Sequence, residues 1–141
     1  MDENTNIDPV ILAAISKTAN AVVFRMKIAG LIKSDTKTAF QKTEELLKNY
    51  NALDASADET ARKMVRRIDD ALELIKDDLY YQVVPLYYID NWTRERIAEY
   101  YNTSVTTISR NKTRLIDRLK VTLFSTDAIK EIFNFDEVPN K

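Results

Sequence analysis

The chain has 141 residues, of which 45% are hydrophobic and 30% are charged, and its formal net charge is −1. These proportions are typical of a globular protein and exclude a disordered or fibrous chain. Because it contains no Cys and no His, it excludes zinc fingers, thiol nucleophiles, His-based triads and the usual transition-metal sites.

Helix-breaking residues are rare, since the chain has one glycine and three prolines. Together with many Ala, Leu, Ile, Lys and Glu residues, this scarcity predicts an all-α fold. The single glycine also excludes P-loop and dinucleotide-binding motifs. Adjacent acids such as Asp69–Asp70 and Asp77–Asp78 are typical of a solvated helix face rather than a catalytic or Mg²⁺ site. We therefore expect no enzyme activity, cofactor or metal.

The first predicted helix begins at Asp8–Pro9, an N-cap acid followed by proline at the first helical position. It should end near Ala29, where Gly30 can adopt the left-handed conformation. Its apolar residues cover most of its circumference, which predicts either a central core helix or a subunit interface. The acidic N-terminus does not look like a signal peptide, and the apolar run from Val10 is too short to cross a membrane. We expect a cytoplasmic protein without a membrane partner.

Two further helices are predicted before residue 80. Ser34 or Asp35 should cap a helix that ends near Tyr50, and Ser56 or Asp58 should start the next after a polar connection. The apolar positions of the first are Phe40, Leu46, Leu47 and Tyr50; those of the second are Ala61, Met64 or Val65, Ile68, Ala71 or Leu72, Ile75 and Leu79. The spacing of three and four residues predicts an antiparallel hairpin and allows self-association through these N-terminal helices.

The segment 80–90 contains a proline inside an apolar run. Pro85 is compatible with a helix only in its first turn, so we predict a new helix from Tyr80 or Tyr81. This helix should support the following segment from behind. Its tyrosines should be core and rim aromatics rather than a base-stacking platform.

Residues 92–119 read as two helices joined by a short turn. Thr93 and Ser104 are good N-caps for the first and second helix. Asn102 tolerates the left-handed conformation that such turns require. Ala98 is small enough for the two helices to cross closely. This pattern predicts a helix-turn-helix, whose second helix enters the DNA major groove.

The positive charge of the chain is concentrated in this segment. Lys and Arg number 12 against 15 acids in residues 1–91, 7 against 3 in residues 92–120, and 2 against 4 in residues 121–141. A helical wheel places the predicted base readers on the outer side of the second helix: Thr106, Thr107, Ser109, Arg110, Thr113 and Arg114. The predicted phosphate contacts are Thr93, Arg94, Arg96, Ser104, Lys112, Arg118 and Lys120. Lys112 falls on the inward half of the wheel, so it must either snorkel to a phosphate or sit beyond the edge of the core.

The segment YYQVVPLYYIDNWTRERIAEYYNTSVTTISRNKTRLIDRLKVTLF resembles the C-terminal half of ArpU-type phage transcriptional regulators, which are related to RinA-type late-gene activators. More broadly it resembles region 4 of sigma-70 factors. With KTEELLKNYNAL, which is similar to that family's N-terminal hairpin, the resemblance covers roughly residues 36–124. It implies a phage or prophage regulator that acts on late or lysis genes with host RNA polymerase. The recognition role then falls on Thr106, Thr107, Ser109, Arg110 and residues 112–114.

These patterns predict an N-terminal helical region over residues 1–79, a DNA-binding domain over 80–124, and a short C-terminal helix and tail over 125–141. The favoured function is a sequence-specific transcriptional regulator that binds double-stranded DNA in a bacterial host cell. The alternatives are a phage small terminase subunit and a helical interaction protein without a nucleic-acid role.

Overall fold

All regular structure in the computed structural model is helical within residues 8–125, the part that it describes apart from the side chains of residues 16–22 and 24. The α-helices are α1 (Pro9–Lys33), α2 (Ala39–Lys48), α3 (Tyr50–Ala55), α4 (Glu59–Leu74), α5 (Arg94–Tyr101) and α6 (Val105–Leu123), and a π-helix (Pro85–Ile89) lies between α4 and α5. The predicted all-α fold class is confirmed. The predicted C-terminal helix and tail beyond residue 125 lie outside the described residues.

Helix α1 begins as predicted but ends later. The Asp8 carboxylate accepts a hydrogen bond from the Val10 N–H at 2.8 Å. The helix then passes through Gly30, which does not adopt a positive φ, and ends at Lys33 with Ser34 as its C-cap. The predicted end at Ala29 is wrong because Ile28 and Ile32 are buried against the core and keep the last turns helical.

Several large apolar side chains of α1 face away from the core. Those in its first two turns, together with Val23 and Met26, are more than half exposed; they are Val10, Ile11, Leu12, Ile15, Val23 and Met26. For these residues the prediction of a central core helix is wrong. Only the C-terminal turns of α1 contact the rest of the described chain as part of the core.

The caps of α2 and α4 follow from local hydrogen bonding. Thr38 and Gln41 form a reciprocal capping box at the start of α2, so the predicted caps Ser34 and Asp35 are wrong. Asp58 caps α4 as predicted, accepting from the Ala61 N–H at 3.0 Å. Part of the predicted polar connection is helical, since Tyr50–Ala55 form α3.

Helices α2 and α4 are joined mainly through α6. Each packs against α6, and α3 packs against α4. This arrangement replaces the predicted antiparallel hairpin, because α6 supplies the apolar face that each helix buries. The shared core contains Leu46, Leu47, Leu53, Met64, Ile68, Leu115, Ile116 and Leu119. Both sides of the predicted boundary at residue 79 contribute to it, and the division into domains stays a prediction.

The segment between α4 and α5 is mostly turns. Helix α4 ends at Leu74 and the chain turns until residue 82, so Leu79 is 77% exposed instead of facing a helix partner. The predicted helix is present but begins at Val83 rather than at Tyr80 or Tyr81, which places Pro85 in its first turn. Pro85 opens the π-helix, in which the Asp90 N–H bonds to the Pro85 C=O at 2.9 Å. Tyr88 is buried and its neighbours Tyr80, Tyr81 and Tyr87 are half-buried, as predicted for core and rim aromatics.

Candidate nucleic-acid interface

The turn between α5 and α6 is built from local hydrogen bonds. The Thr93 hydroxyl accepts from the Arg96 N–H at 3.1 Å, and the Ser104 hydroxyl accepts from the Thr107 N–H at 3.1 Å. Asn102 is left-handed, with φ 54° and ψ 51°. The Thr103 N–H bonds back to the Ala98 C=O at 2.9 Å, which closes a Schellman-type helix end. The predicted caps and the left-handed asparagine are confirmed.

A small apolar cluster fixes the first half of α6 against α5. It consists of Val83, Ile97, Ala98 and Ile108, each 5% exposed or less. Ala98 lies in it as expected for a close crossing of two helices. Because the turn and this cluster leave little freedom between α5 and α6, the outer face of α6 is presented in a fixed orientation.

The outer face of the first half of α6 (residues 105–113) carries three exposed side chains, Thr106, Arg110 and Thr113. None of them forms a side-chain hydrogen bond or ion pair with another described residue. One turn beyond Thr113, Asp117 brings an acid to the same face, where it pairs with Lys120 at 3.0 Å. The part of this face that carries no acid therefore ends at Thr113.

Two exposed arginines belong to α5, and one of them contacts α6. Arg94 Nη1 donates to the Ser109 hydroxyl at 3.2 Å, so Ser109 is half-buried beneath Arg94 rather than free for a base. The Arg96 guanidinium carbon lies 3.7 Å from the centroid of the Trp92 ring, a cation–π contact that limits its motion. Neither arginine forms an ion pair with a described acid.

Arg114 and Arg118 converge on one carboxylate. Arg114 donates to the two oxygens of Asp78 at 2.7 and 2.9 Å, and Arg118 donates to it at 3.3 Å. The hydrogen bond from Arg114, opposed by desolvation, holds the pKa of the Asp78 carboxyl at about 2, below its ordinary value. The same bond raises the pKa of Arg114. Both arginines are thus already paired within the chain.

Lys112 lies in an internal polar cluster between α2, the π-helix and α6. Its ammonium is 3.3 Å from Glu44 Oε2 and 3.2 Å from the Tyr88 hydroxyl, and its side chain is 14% exposed. The phosphate contact predicted for Lys112 does not fit this geometry, because the side chain points to Glu44. Burial raises the pKa of Glu44, but the hydrogen bond from Tyr88 and the charge of Lys112 outweigh it and lower that pKa overall. Burial and the bond to Glu44 raise the pKa of Tyr88.

Of the cations in residues 92–120, only Arg94, Arg96 and Arg110 form no ion pair with a described acid. Their side chains are exposed on α5 and the first half of α6. The predicted contacts Thr93 and Ser104 are exposed at the helix starts, but their hydroxyls already accept the capping bonds. Thr107 is half-buried, and its hydroxyl is 3.0 Å from that of Ser104.

An open depression of about 510 Å³ adjoins the start of α5 and includes a cation that sequence reasoning missed. Lys48, Asn91, Trp92, Thr93 and Arg94 are among its lining residues. Lys48 belongs to α2, and no local pattern marks it. It reaches this place through the packing of α2 on the π-helix.

Comparison of the chain with protein-family models, curated proteins and solved structures found no match. Within residues 8–125, no helix combines the length and the apolar character that a membrane span requires.

Proposed function

We propose that the protein binds double-stranded DNA by placing the first half of α6 in the major groove. The observation that supports this most is Arg110, an exposed and unpaired cation between two small hydroxyl residues, Thr106 and Thr113. Small side chains allow the helix backbone to approach the groove, and arginine can donate two hydrogen bonds to guanine O6 and N7. The first residues of a recognition helix are the ones that reach base edges.

The phosphate contacts follow from the remaining free cations. Arg94 lies on α5 beside Ser109 of α6, Arg96 is exposed on the same helix over the Trp92 ring, and Lys48 lies in the depression at the start of α5. Contacts of this kind fix the position of a protein on the duplex without reading its sequence. We assign the phosphate role to these three residues in place of Lys112, and we expect Lys120 to contribute less because Asp117 neutralises it.

The sequence resemblance to ArpU-type regulators specifies the biological setting of this proposal. A phage or prophage regulator of that kind acts in the bacterial cytoplasm, on late or lysis genes, with host RNA polymerase. Region 4 of sigma-70 factors binds DNA with a helix pair, and residues 92–119 resemble it. We propose this setting together with DNA binding and without enzyme activity or a cofactor.

DNA binding is tested by selecting a preferred duplex from random sequences and measuring its affinity by fluorescence anisotropy. Arg110→Ala should weaken binding to the selected duplex by roughly 1–3 kcal/mol, because one bidentate base contact is lost. Arg62→Ala on α4 removes an equally exposed arginine and should leave the affinity unchanged. Equal affinity of wild type and Arg110→Ala, both correctly folded, would contradict the groove placement.

We further propose that the exposed face of α1 packs against a second copy of the chain. Helix α1 carries four cations and no acid in its sequence. The C-terminal end of α4 and the turn after it expose apolar Leu74 and Leu79 among acids, including Asp70 and Glu73. The two surfaces are both apolar and of opposite charge, so each can cover the other between two protomers.

Self-association is tested by light scattering after size exclusion. Leu12→Asp combined with Met26→Asp should reduce the wild-type assembly to a monomer, whereas Val121→Asp, on the exposed side of α6, should not. Reversal of Asp70 and Glu73 to Lys should have the same effect as the α1 changes if α4 is the partner surface. A monomeric wild type at tens of micromolar would overturn the proposal.

The exposed α1 also favours a second candidate function, a phage small terminase subunit that recognises packaging-site DNA. Such subunits combine a helix-turn-helix with oligomerising helices and usually form rings of many subunits. A regulator should instead be a monomer, a dimer or a small oligomer. The same light-scattering measurement therefore separates the two functions, and failure to bind any duplex would leave a helical interaction protein.

A further inference from the structure

Asp78 is placed between the two arginines on one flank of α6. It lies in the turn segment after α4, and its side chain is only 12% exposed. The Tyr80 N–H donates to Asp78 Oδ1 at 2.9 Å, which fixes the carboxylate relative to the chain. Arg114 and Arg118 reach it from two successive turns of α6.

The donors of Arg114 are occupied by more than this ion pair. Its Nε and Nη2 donate to Asn111 Oδ1 at 3.1 and 2.8 Å, while Nη1 and Nη2 donate to Asp78. The planar fork of arginine binds a carboxylate, a phosphate and a guanine edge with the same pair of donors. An Arg114 held in this way cannot offer that fork to DNA without first releasing Asp78.

We propose that Asp78 withholds Arg114 and Arg118 from DNA, so that α6 contacts its duplex only through the half that ends at Thr113. This inference rests on the proposed DNA binding. In it Asp78 is a positioning residue, since it acts on DNA only through the two arginines. Asp78 thereby keeps two cations away from the phosphates, which they would contact whatever the DNA sequence. This limits the affinity for unrelated sequences.

The number of charge-assisted hydrogen bonds favours the internal ion pairs of Asp78 over contacts of the two arginines with phosphate. The ion pairs are already in place before DNA arrives, so moving both arginines to phosphates breaks three charge-assisted hydrogen bonds, two from Arg114 and one from Arg118. Without the carboxylate, both cations become available. Each new phosphate contact releases condensed counterions and steepens the salt dependence of affinity by about 0.9 in the log–log slope.

The test compares Asp78→Asn with Asp77→Asn, an exposed neighbour that undergoes the same change in charge. The amide oxygen of Asn can still accept from the Tyr80 N–H, so the turn should be retained. Affinity is measured over a salt series for the selected duplex and for a scrambled duplex of equal length. Asp78→Asn should bind the scrambled duplex about tenfold more tightly and with a salt slope steeper by up to about two. Asp77→Asn should stay close to wild type.

A second set of variants assigns the gain to the arginines. Arg114→Met with Arg118→Met should leave the wild-type affinity within about twofold, and the same pair should remove the gain of Asp78→Asn. This wild-type comparison also decides the matter if Asp78→Asn does not fold. The proposal is overturned if the double arginine variant binds as poorly as Arg110→Ala, or if Asp78→Asn and Asp77→Asn behave alike. Absence of DNA binding by both wild type and Asp78→Asn would instead overturn the proposed function.

Discussion

The two halves of α6 have different environments although one continuous helix contains both. In the first half, Ile108 packs in the small cluster under α5, and Arg110 faces solvent without a partner. In the second half, Leu115 and Leu119 are buried in the main core, and the exposed cations are paired with acids. The second half thus holds the helix to the body, and the first half projects a free surface.

This difference shows that the number of cations in a segment overstates the positive charge that is left without an acidic partner in the same chain. Seven cations in residues 92–120 suggest a long basic face. Asp78 and Glu44 come from distant parts of the chain and neutralise cations of the second half and the middle. Among residues 92–120, the cations without an ion pair to a described acid lie on α5 and the first turns of α6, where short hydroxyl residues also occur.

The largest effect should come from a core position of the second half. Leu119→Ala should lower the free energy of unfolding by about 3 kcal/mol, because it removes a fully buried side chain and leaves a cavity. Urea unfolding followed by circular dichroism measures this loss. Val121→Ala is the matched control on the same helix; Val121 is 69% exposed, and its truncation should cost almost nothing. Equal losses in the two variants would contradict the anchoring role of the second half.

Lys112 lies where the two halves meet, and its replacement should have the next largest effect. Lys112→Met should destabilise the fold by about 2 kcal/mol, because the partly buried Glu44 loses the cation that contacts it. Combining it with Glu44→Leu should recover much of the loss, since no lone charge remains. Unfolding curves of the single and double variants provide the measurement. A double variant less stable than Lys112→Met would show that the cluster stabilises the fold in another way.

Local sequence signals predicted the helix pair well. The N-caps Thr93 and Ser104 and the left-handed Asn102 depend on hydrogen bonds within three or four residues, which a sequence displays directly. The same holds for Asp8 and Asp58. At the start of α2 the local signal is also present in the sequence, since Thr38 and Gln41 match a capping box, whereas the predicted caps Ser34 and Asp35 precede the helix.

Long-range contacts could not be predicted in the same way. The wheel marked Lys112 as inward, but nothing local identifies Glu44, which lies 68 residues earlier, as its partner. Likewise, Asp78 precedes Arg114 by 36 residues. The sequence also leaves open whether the apolar side chains of α1 are buried within the chain. They must pack against another surface, but the pattern does not show whether that surface belongs to the same chain.

The turn that orients the first half should respond to backbone strain. Asn102→Val should cost about 1–2 kcal/mol, because a β-branched residue is strained at the φ of 54° found there. Asn102→Gly should remain close to wild type, since glycine adopts this conformation freely. Chemical unfolding measures both. If the two variants are equally stable, the left-handed turn does not limit the geometry of the pair.

The smallest effect should be a pH dependence of the unfolding free energy, caused by the ion pairs of Asp78 with Arg114 and Arg118. The hydrogen bond from Arg114 keeps the pKa of Asp78 at about 2 in the folded protein, against an ordinary value of 3.8. Because the folded pKa is the lower one, the pair stabilises the fold above about pH 4 and loses this contribution as the pH falls towards 2. Partial exposure screens the pair, so we expect it to contribute about 1 kcal/mol.

Urea unfolding of wild type and Asp78→Asn at pH 5 and pH 2.5 isolates this contribution from other carboxylates, which titrate in both proteins. The difference in unfolding free energy between them should shrink by about 1 kcal/mol on going to the lower pH. A difference for Asp78→Asn that does not change with pH would mean that the two arginines are not held by its charge. The second half of α6 would then carry free cations, as the first half does.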